Sequence, residues 1–185
     1  MQHVYVLHGY SASPEDHWFQ DIKNQLNGDQ TQVTLIHFPD SAYPDVKAWQ
    51  GTLDHHIPKI DDTTFFVAHS LGVISLLHFF HRHQIQYLGG MLLVSGFREA
   101  LPALPELDDY VAQSQQIPQT LQLRAGAYMY LSDHDAYVPP EWSIRLALEL
   151  NIPYEQIAHA GHFLAEDGYT TFPALVKRLH DMLRA

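Results

Sequence analysis

The sequence predicts an α/β fold, a parallel six-stranded sheet of order 2-1-3-4-5-6 flanked by helices on both faces. Three observations lead to it. Short apolar runs rich in branched and aromatic residues recur along the 185 residues, each alternates with a segment of helical periodicity, and each closes on a cluster of turn-forming residues. No repeat or low-complexity tract interrupts the pattern. The length suits one domain, residues 1–185, with a sizeable core.

The first strand is His3–Leu7 (HVYVL), ending at His8-Gly9-Tyr10, where glycine permits a tight turn. Ser13 before Pro14 reads as an N-cap with proline at the first helical position, starting a helix that runs to Leu26 with Trp18, Phe19, Ile22 and Leu26 on one face. Gln32–His37 is the second strand, and a loop from Phe38 to Pro44 leads into a helix over about Asp45–His56. Thr64–Val67 is the third strand, followed by a helix from Val73 to about His83. Leu88–Val94 is the fourth, ending at Ser95-Gly96-Phe97. From Arg98 to Pro118 the chain holds three prolines and the acids Glu106, Asp108 and Asp109, and reads as an irregular excursion over the sheet, which leaves little or no lid. Ala127–Leu131 is the fifth strand and Tyr154–Ile157 the sixth, with a helix from Pro140 to Leu150 between them. A last helix spans about Phe172–Leu183.

Right-handed crossovers bring every strand's carboxyl end to one edge of such a sheet. His8 to Tyr10, Ser70, Ser95 to Phe97, Asp133 to Asp135 and His162 all follow strand ends. They are expected to meet there.

Composition removes several classes of function. A formal net charge of −11, from 21 acids against 10 lysines and arginines, argues against a nucleic-acid or anionic-membrane partner. The absence of cysteine excludes disulfides, thiolate metal sites and a thiol nucleophile. There is no basic leader and no apolar run of membrane-spanning length, so a cytoplasmic location is the expectation. No glycine-rich nucleotide motif is present, and His78, His81 and His83 have no acid or cysteine at helical spacing, so neither a cofactor nor a metal is expected.

The chemistry centres on Ala68-His69-Ser70-Leu71-Gly72. Strand, sharp turn and helix follow one another here, and Ala-x-Ser-x-Gly differs from the G-x-S-x-G nucleophile elbow only at Ala68. A helix N-cap is the plainer role for such a serine. A serine nucleophile needs a base and an acid that orients the base, and both have candidates downstream. His162, after the turn-forming Gly161, or His159 could be the base; Asp135 or Asp133, past the fifth strand, could be the acid. The backbone N–H groups of Tyr10 and Leu71 are the expected oxyanion donors. His69, Tyr10 and Phe97 are candidates for the wall of the substrate site.

The sequence resembles the small α/β-hydrolases similar to retinoblastoma-binding protein nine and the bacterial YdeN-type predicted esterases. The resemblance runs nearly end to end, through HGYSASPEDHWF (His8 to Phe19), VAHSLG (Val67 to Gly72), LLVSGF (Leu92 to Phe97), LSDHDAYVP (Leu131 to Pro139) and AGHF (Ala160 to Phe163). The segment His17-Trp18-Phe19 is far less generic than the elbow. The resemblance implies a minimal three-layer α/β-hydrolase fold and a catalytic set of Ser70, Asp135 and His162, the aspartate being the one shortly before Val138-Pro139. The expected activity is that of a serine hydrolase, a carboxylesterase acting on small acyl esters or amides without a cofactor. The resemblance also allows a protein partner, and with it the alternative of a binding module whose triad is vestigial. A monomer or weak homodimer is expected.

Overall fold

Alternation of side chains along the strands divides the core into two layers, one on each face of the sheet, in the computed structural model, which describes residues 1–185. Eight strands are present: β1 (Gln2–Leu7), β2 (Thr31–Ile36), β3 (Thr64–His69), β4 (Tyr87–Leu88), β5 (Gly90–Val94), β6 (Gln122–Leu123), β7 (Ala127–Ser132) and β8 (Tyr154–Ile157). Six of them form a parallel sheet of order β2-β1-β3-β5-β7-β8. This differs from the expected numbering because β4 and β6, two residues each, intervene in chain order and pair only with each other. The expected strand Leu88–Val94 is thereby divided at Gly89.

Six helices cover the sheet: α1 (Phe19–Leu26), α2 (Val46–His56), α3 (Leu71–Arg82), α4 (Asp108–Ser114), α5 (Pro140–Glu149) and α6 (Pro173–Arg184). On one face Tyr5, Leu7, Phe66, Ala68, Met91, Leu93 and Met129 pack against α2, α3 and α5. On the other, Val4, Val6, Phe65, Val67, Leu92, Val94 and Tyr130 pack against α1 and α6. The central helix α3 is buried from Leu71 through Leu77 and again at Phe79 and Phe80, as its nearly continuous apolar sequence requires.

Two expected segments come out differently. The helix expected from Pro14 starts only at Phe19. Asp16 closes a turn by accepting from Ser13 N–H at 2.7 Å and Ser13 Oγ at 2.9 Å, and His17 at φ +54° breaks helical continuity. The segment after Phe97 is more ordered than its prolines suggest. It carries a 3₁₀ turn at Pro105–Leu107 and then α4, whose Tyr110 hydroxyl meets Ser75 Oγ at 2.8 Å on α3. By contrast α2 begins as its sequence dictates, with Asp45 capping Ala48 N–H at 2.8 Å. No helix is long and apolar enough to cross a membrane.

Sheet register then sets the carboxyl edge of the sheet. His69 pairs with Val94, Ser70 N–H donates to Val94 O at 2.9 Å, and Ser95 N–H donates to Tyr130 O at 2.9 Å. The ends of β3, β5 and β7 are therefore side by side.

Candidate active site

Ser70 leaves β3 at φ +55°, ψ −123°, a conformation that side-chain-bearing residues rarely adopt, and α3 begins at the next residue. Such strain persists only where the surroundings over-determine it, and here close packing does so. A Cβ on Gly72 would lie 2.5 Å from His8 O, and one on Gly9 would lie 2.9 Å from Ser70 Cβ and 3.3 Å from Leu71 N. The turn after β1 and the turn before α3 are thus in direct backbone contact. That contact brings the main chain of Gly9, the residue before Tyr10, up to the serine and beside the Leu71 N–H, which as the first of a helix has no intrahelical acceptor.

Ser70 Oγ lies 2.9 Å from His162 Nε2, and His162 Nδ1 lies 2.7 Å from Asp135 Oδ2. Both ends are shielded, with Ser70 and His162 each 7% exposed and the Asp135 side chain 1%. Burial alone would raise the pKa of Asp135. The hydrogen bond and charge of His162, with the N–H groups of Val138 and Tyr137, outweigh it and hold the carboxyl below its ordinary value. An ionised Asp135 accepts from His162 Nδ1–H, which leaves Nε2 free to accept the Ser70 hydroxyl proton.

Of the alternatives left open by the sequence, Asp133 and His159 stand apart. Both are exposed, and Asp133 Oδ1 accepts from the His159 backbone N–H at 2.7 Å. Asp133 therefore anchors one loop to the other, and no bond joins it to His162.

Nothing in the sequence marks Ser95 beyond its place after a strand. Its buried hydroxyl donates to Asp135 Oδ2 at 2.9 Å, the same oxygen that His162 uses, while Oδ1 accepts from Tyr137 N–H and Val138 N–H at 2.9 Å each. Together the four bonds satisfy both oxygens of a buried carboxylate. Ser95→Ala is expected to lower kcat about tenfold with little change in KM, as judged by steady-state kinetics; an unchanged kcat would show that the Asp135 rotamer needs no help.

The serine opens on a cleft of about 660 Å³ whose wall includes Tyr10, Leu104, Tyr137 and Leu164. Tyr10 reaches Glu106 through its hydroxyl at 3.2 Å. Phe97 is not part of this wall. It is fully buried in the core on the α3 face, because the chain turns inward after Ser95 at φ +46°.

His69 also lies below the cleft and not in it, at 2% exposure. Strand parity sends it, with Phe65 and Val67, to the α1 face, where its ring meets those of Trp18, Phe19 and His162. Its Nε2–H donates to the His162 carbonyl at 2.9 Å and its Nδ1 is buried without a partner. Burial holds it neutral, with a pKa well below the ordinary value. His8 and His17 are lowered as well, again chiefly by burial. In His8 the tautomer is set on both sides, since Nε2 accepts from Phe38 N–H at 3.1 Å and Nδ1–H donates to Gly9 O at 2.9 Å.

These three histidines bind protons more readily in the unfolded chain. The unfolded state therefore gains protons first as pH falls below about 6.5, and stability drops with acidification until the folded pKa values are reached. For His69 alone the slope is about 1.4 kcal/mol per pH unit within that window. Denaturant unfolding at pH 7.5, 6.5 and 5.5 should show the loss, and His69→Gln should flatten it; a pH-independent midpoint would contradict the neutral assignment.

The remaining histidines do not assemble. His83 pairs with Asp54 at 2.6 Å, which also accepts from Arg82, and no group of three potential metal ligands is found.

Comparison with known proteins gives the family and the fold. A family model described as serine hydrolase matches residues 4–181. The YdeN protein of Bacillus subtilis (strain 168), named as a hydrolase, is 35% identical over 171 residues, spanning 92% of this chain and 90% of its own. The crystal structure of the B. subtilis ydeN product superposes with a TM-score of 0.88 at 30% identity, covering 100% of both chains. A monoacylglycerol lipase from Paleococcus ferrophilus superposes with a TM-score of 0.70 over 97% of this chain and 94% of its own, and at 15% identity that likeness concerns the fold alone.

Proposed function

The chain belongs to the serine hydrolase family, and from that premise we propose that it is a carboxylic ester hydrolase cleaving small acyl esters through an acyl-enzyme on Ser70. One observation carries the reading, the unbroken hydrogen-bond chain from Ser70 Oγ through His162 to Asp135.

In this reading His162 Nε2 takes the Ser70 proton as Oγ attacks the ester carbonyl, and Asp135 stabilises the imidazolium that results. The oxyanion is received by the Tyr10 and Leu71 N–H groups, at a helix N-terminus whose dipole favours negative charge. His162 then gives its proton to the departing alkoxy oxygen, leaving the acyl group on Ser70. A water, deprotonated by the same nitrogen, attacks the acyl carbon, and Ser70 regains its proton as the acid leaves. The depressed pKa of Asp135 supports its half of this scheme, since the orienting acid must stay ionised while its partner changes charge.

The cleft supports the size of the substrate. At about 660 Å³, with Leu104, Tyr137 and Leu164 as its apolar wall, it has room for a small acyl ester together with its leaving group. A series of p-nitrophenyl esters from acetate upward, run beside the matching anilides, tests the proposal. Hydrolysis should be fastest for short acyl chains and should show a burst of nitrophenol equal to the enzyme concentration. Turnover of the anilides alone, or of no acyl compound, would overturn the ester assignment.

A further inference from the structure

The loop that bears His162 has little regular structure of its own. Gly161 and Phe163 both have positive φ, +59° and +58°, and only a 3₁₀ turn follows, at Ala165–Asp167. Side chains hold it instead. His162 N–H and Leu164 N–H donate to Asp167 Oδ2 at 2.8 and 3.1 Å, and the His162 carbonyl accepts from His69 Nε2–H. The Phe163 carbonyl accepts from Trp18 Nε1–H at 3.0 Å, and Ala165 N–H donates to His17 Nδ1 at 3.0 Å.

The last two grips come from the other end of the chain. His17 borders the cleft and Trp18 lies buried beside it, yet the proposed reaction uses neither. Trp18 is fully buried and fills the core beneath the loop. His17 takes φ +54°, which bends the chain just ahead of α1 and accounts for the late start of that helix.

We propose that His17 and Trp18 are positioning residues for the base, gripping Ala165 N–H and Phe163 C=O so that His162 Nε2 stays within reach of Ser70 Oγ. The proposal rests on the triad reading above. Its physical basis is that a proton-transferring imidazole must be held to a fraction of an ångström, and that a displacement of about 1 Å costs on the order of 100-fold in rate. A packing role alone would explain an aromatic residue at position 18. It would not explain an indole N–H aimed at one carbonyl of this loop, nor an imidazole nitrogen aimed at one N–H two residues further on.

Three variants separate positioning from packing. Trp18→Phe keeps a buried aromatic ring and deletes the donor. His17→Gly deletes the acceptor and suits the positive φ, whereas His17→Asn tolerates that φ and returns an acceptor oxygen near the place of Nδ1. For p-nitrophenyl acetate, Trp18→Phe and His17→Gly should lower kcat about 10- to 100-fold with KM within about twofold, and His17→Asn should recover to within about threefold of wild type. The low-field proton resonance of His162 Nδ1–H, bonded to Asp135, should broaden or shift in the first two variants and return in the third.

Wild-type kcat and an unmoved resonance in folded Trp18→Phe and His17→Gly would overturn the proposal, as would a loss confined to KM or a His17→Asn no better than His17→Gly. Should Trp18→Phe fail to fold, the His17 pair decides alone. If the wild type itself shows no turnover and no fluorophosphonate labelling, the triad reading has failed, and the resonance in the variants still decides whether these residues place His162.

Discussion

Ser70→Ala should abolish labelling by a fluorophosphonate probe and lower ester turnover on the order of 10⁶-fold, the scale set when a triad serine is removed from a hydrolase of this chemistry. The adduct should map by mass spectrometry to Ser70 in the wild type and be absent from the variant. The variant should also fold, because alanine keeps every backbone bond of the elbow, including Ser70 N–H to Val94 O at 2.9 Å and Val73 N–H to Ser70 O at 2.9 Å. A companion measurement reads the strain. Serine and alanine are equally disfavoured at φ +55°, ψ −123°, so Ser70→Gly should be more stable than Ser70→Ala by about 1 kcal/mol in denaturant unfolding. An adduct that survives in Ser70→Ala would mean that the reactive group lies elsewhere.

Asp135→Asn should cost on the order of 10⁴ in kcat while leaving the fold unchanged. The structure determines why the loss should be so large. Oδ1 accepts from Tyr137 N–H and Val138 N–H, so an amide at this position must keep its oxygen there and turn its NH₂ toward His162 Nδ1. Nδ1 would then accept, Nε2 would carry the proton, and His162 could no longer take one from Ser70. Asp133→Asn, which touches only the His159 backbone, should change kcat less than about threefold by comparison. If Asp133→Asn produced the greater loss, the assignment of the acid would be reversed.

How far the site could be read from the chain differs residue by residue. The places of Ser70 and His162 at strand ends are legible because each follows a strand and stands in a turn that small neighbours make possible, and both features are local. The choice of Asp135 over Asp133 was not local. Both acids lie past β7, and what separates them is the direction of a loop whose ends are tied to Ser95, just after β5, and to the His159 loop after β8. Residue spacing does not encode that direction. Phe97 faces the core instead of the cleft for a related reason, since an aromatic residue after a strand can face either and only the turn at Ser95 decides.

The shortened α1 and the ordered segment after Phe97 show the same division. Ser13-Pro14 has the composition of a helix start, but Asp16 captures Ser13 first and the helix waits until Phe19. Prolines at 102, 105 and 118 suggested an irregular path, yet α4 fits between the last two because Tyr110 and Val111 find a buried surface on α2 and α3.

By itself the sequence determined the alternation of strands and helices, the two-layered core and the edge at which reactive residues gather. Those follow from periodicity, which acts between residues a few positions apart. Only the tertiary structure decided which carboxylate meets His162, which oxygen Ser95 bonds, and how His17, Trp18, His69 and Asp167 hold the loop that carries His162. Most of these bonds join residues 27 to 148 positions apart in the chain, and their lengths depend on sheet register and side-chain packing that no local pattern specifies.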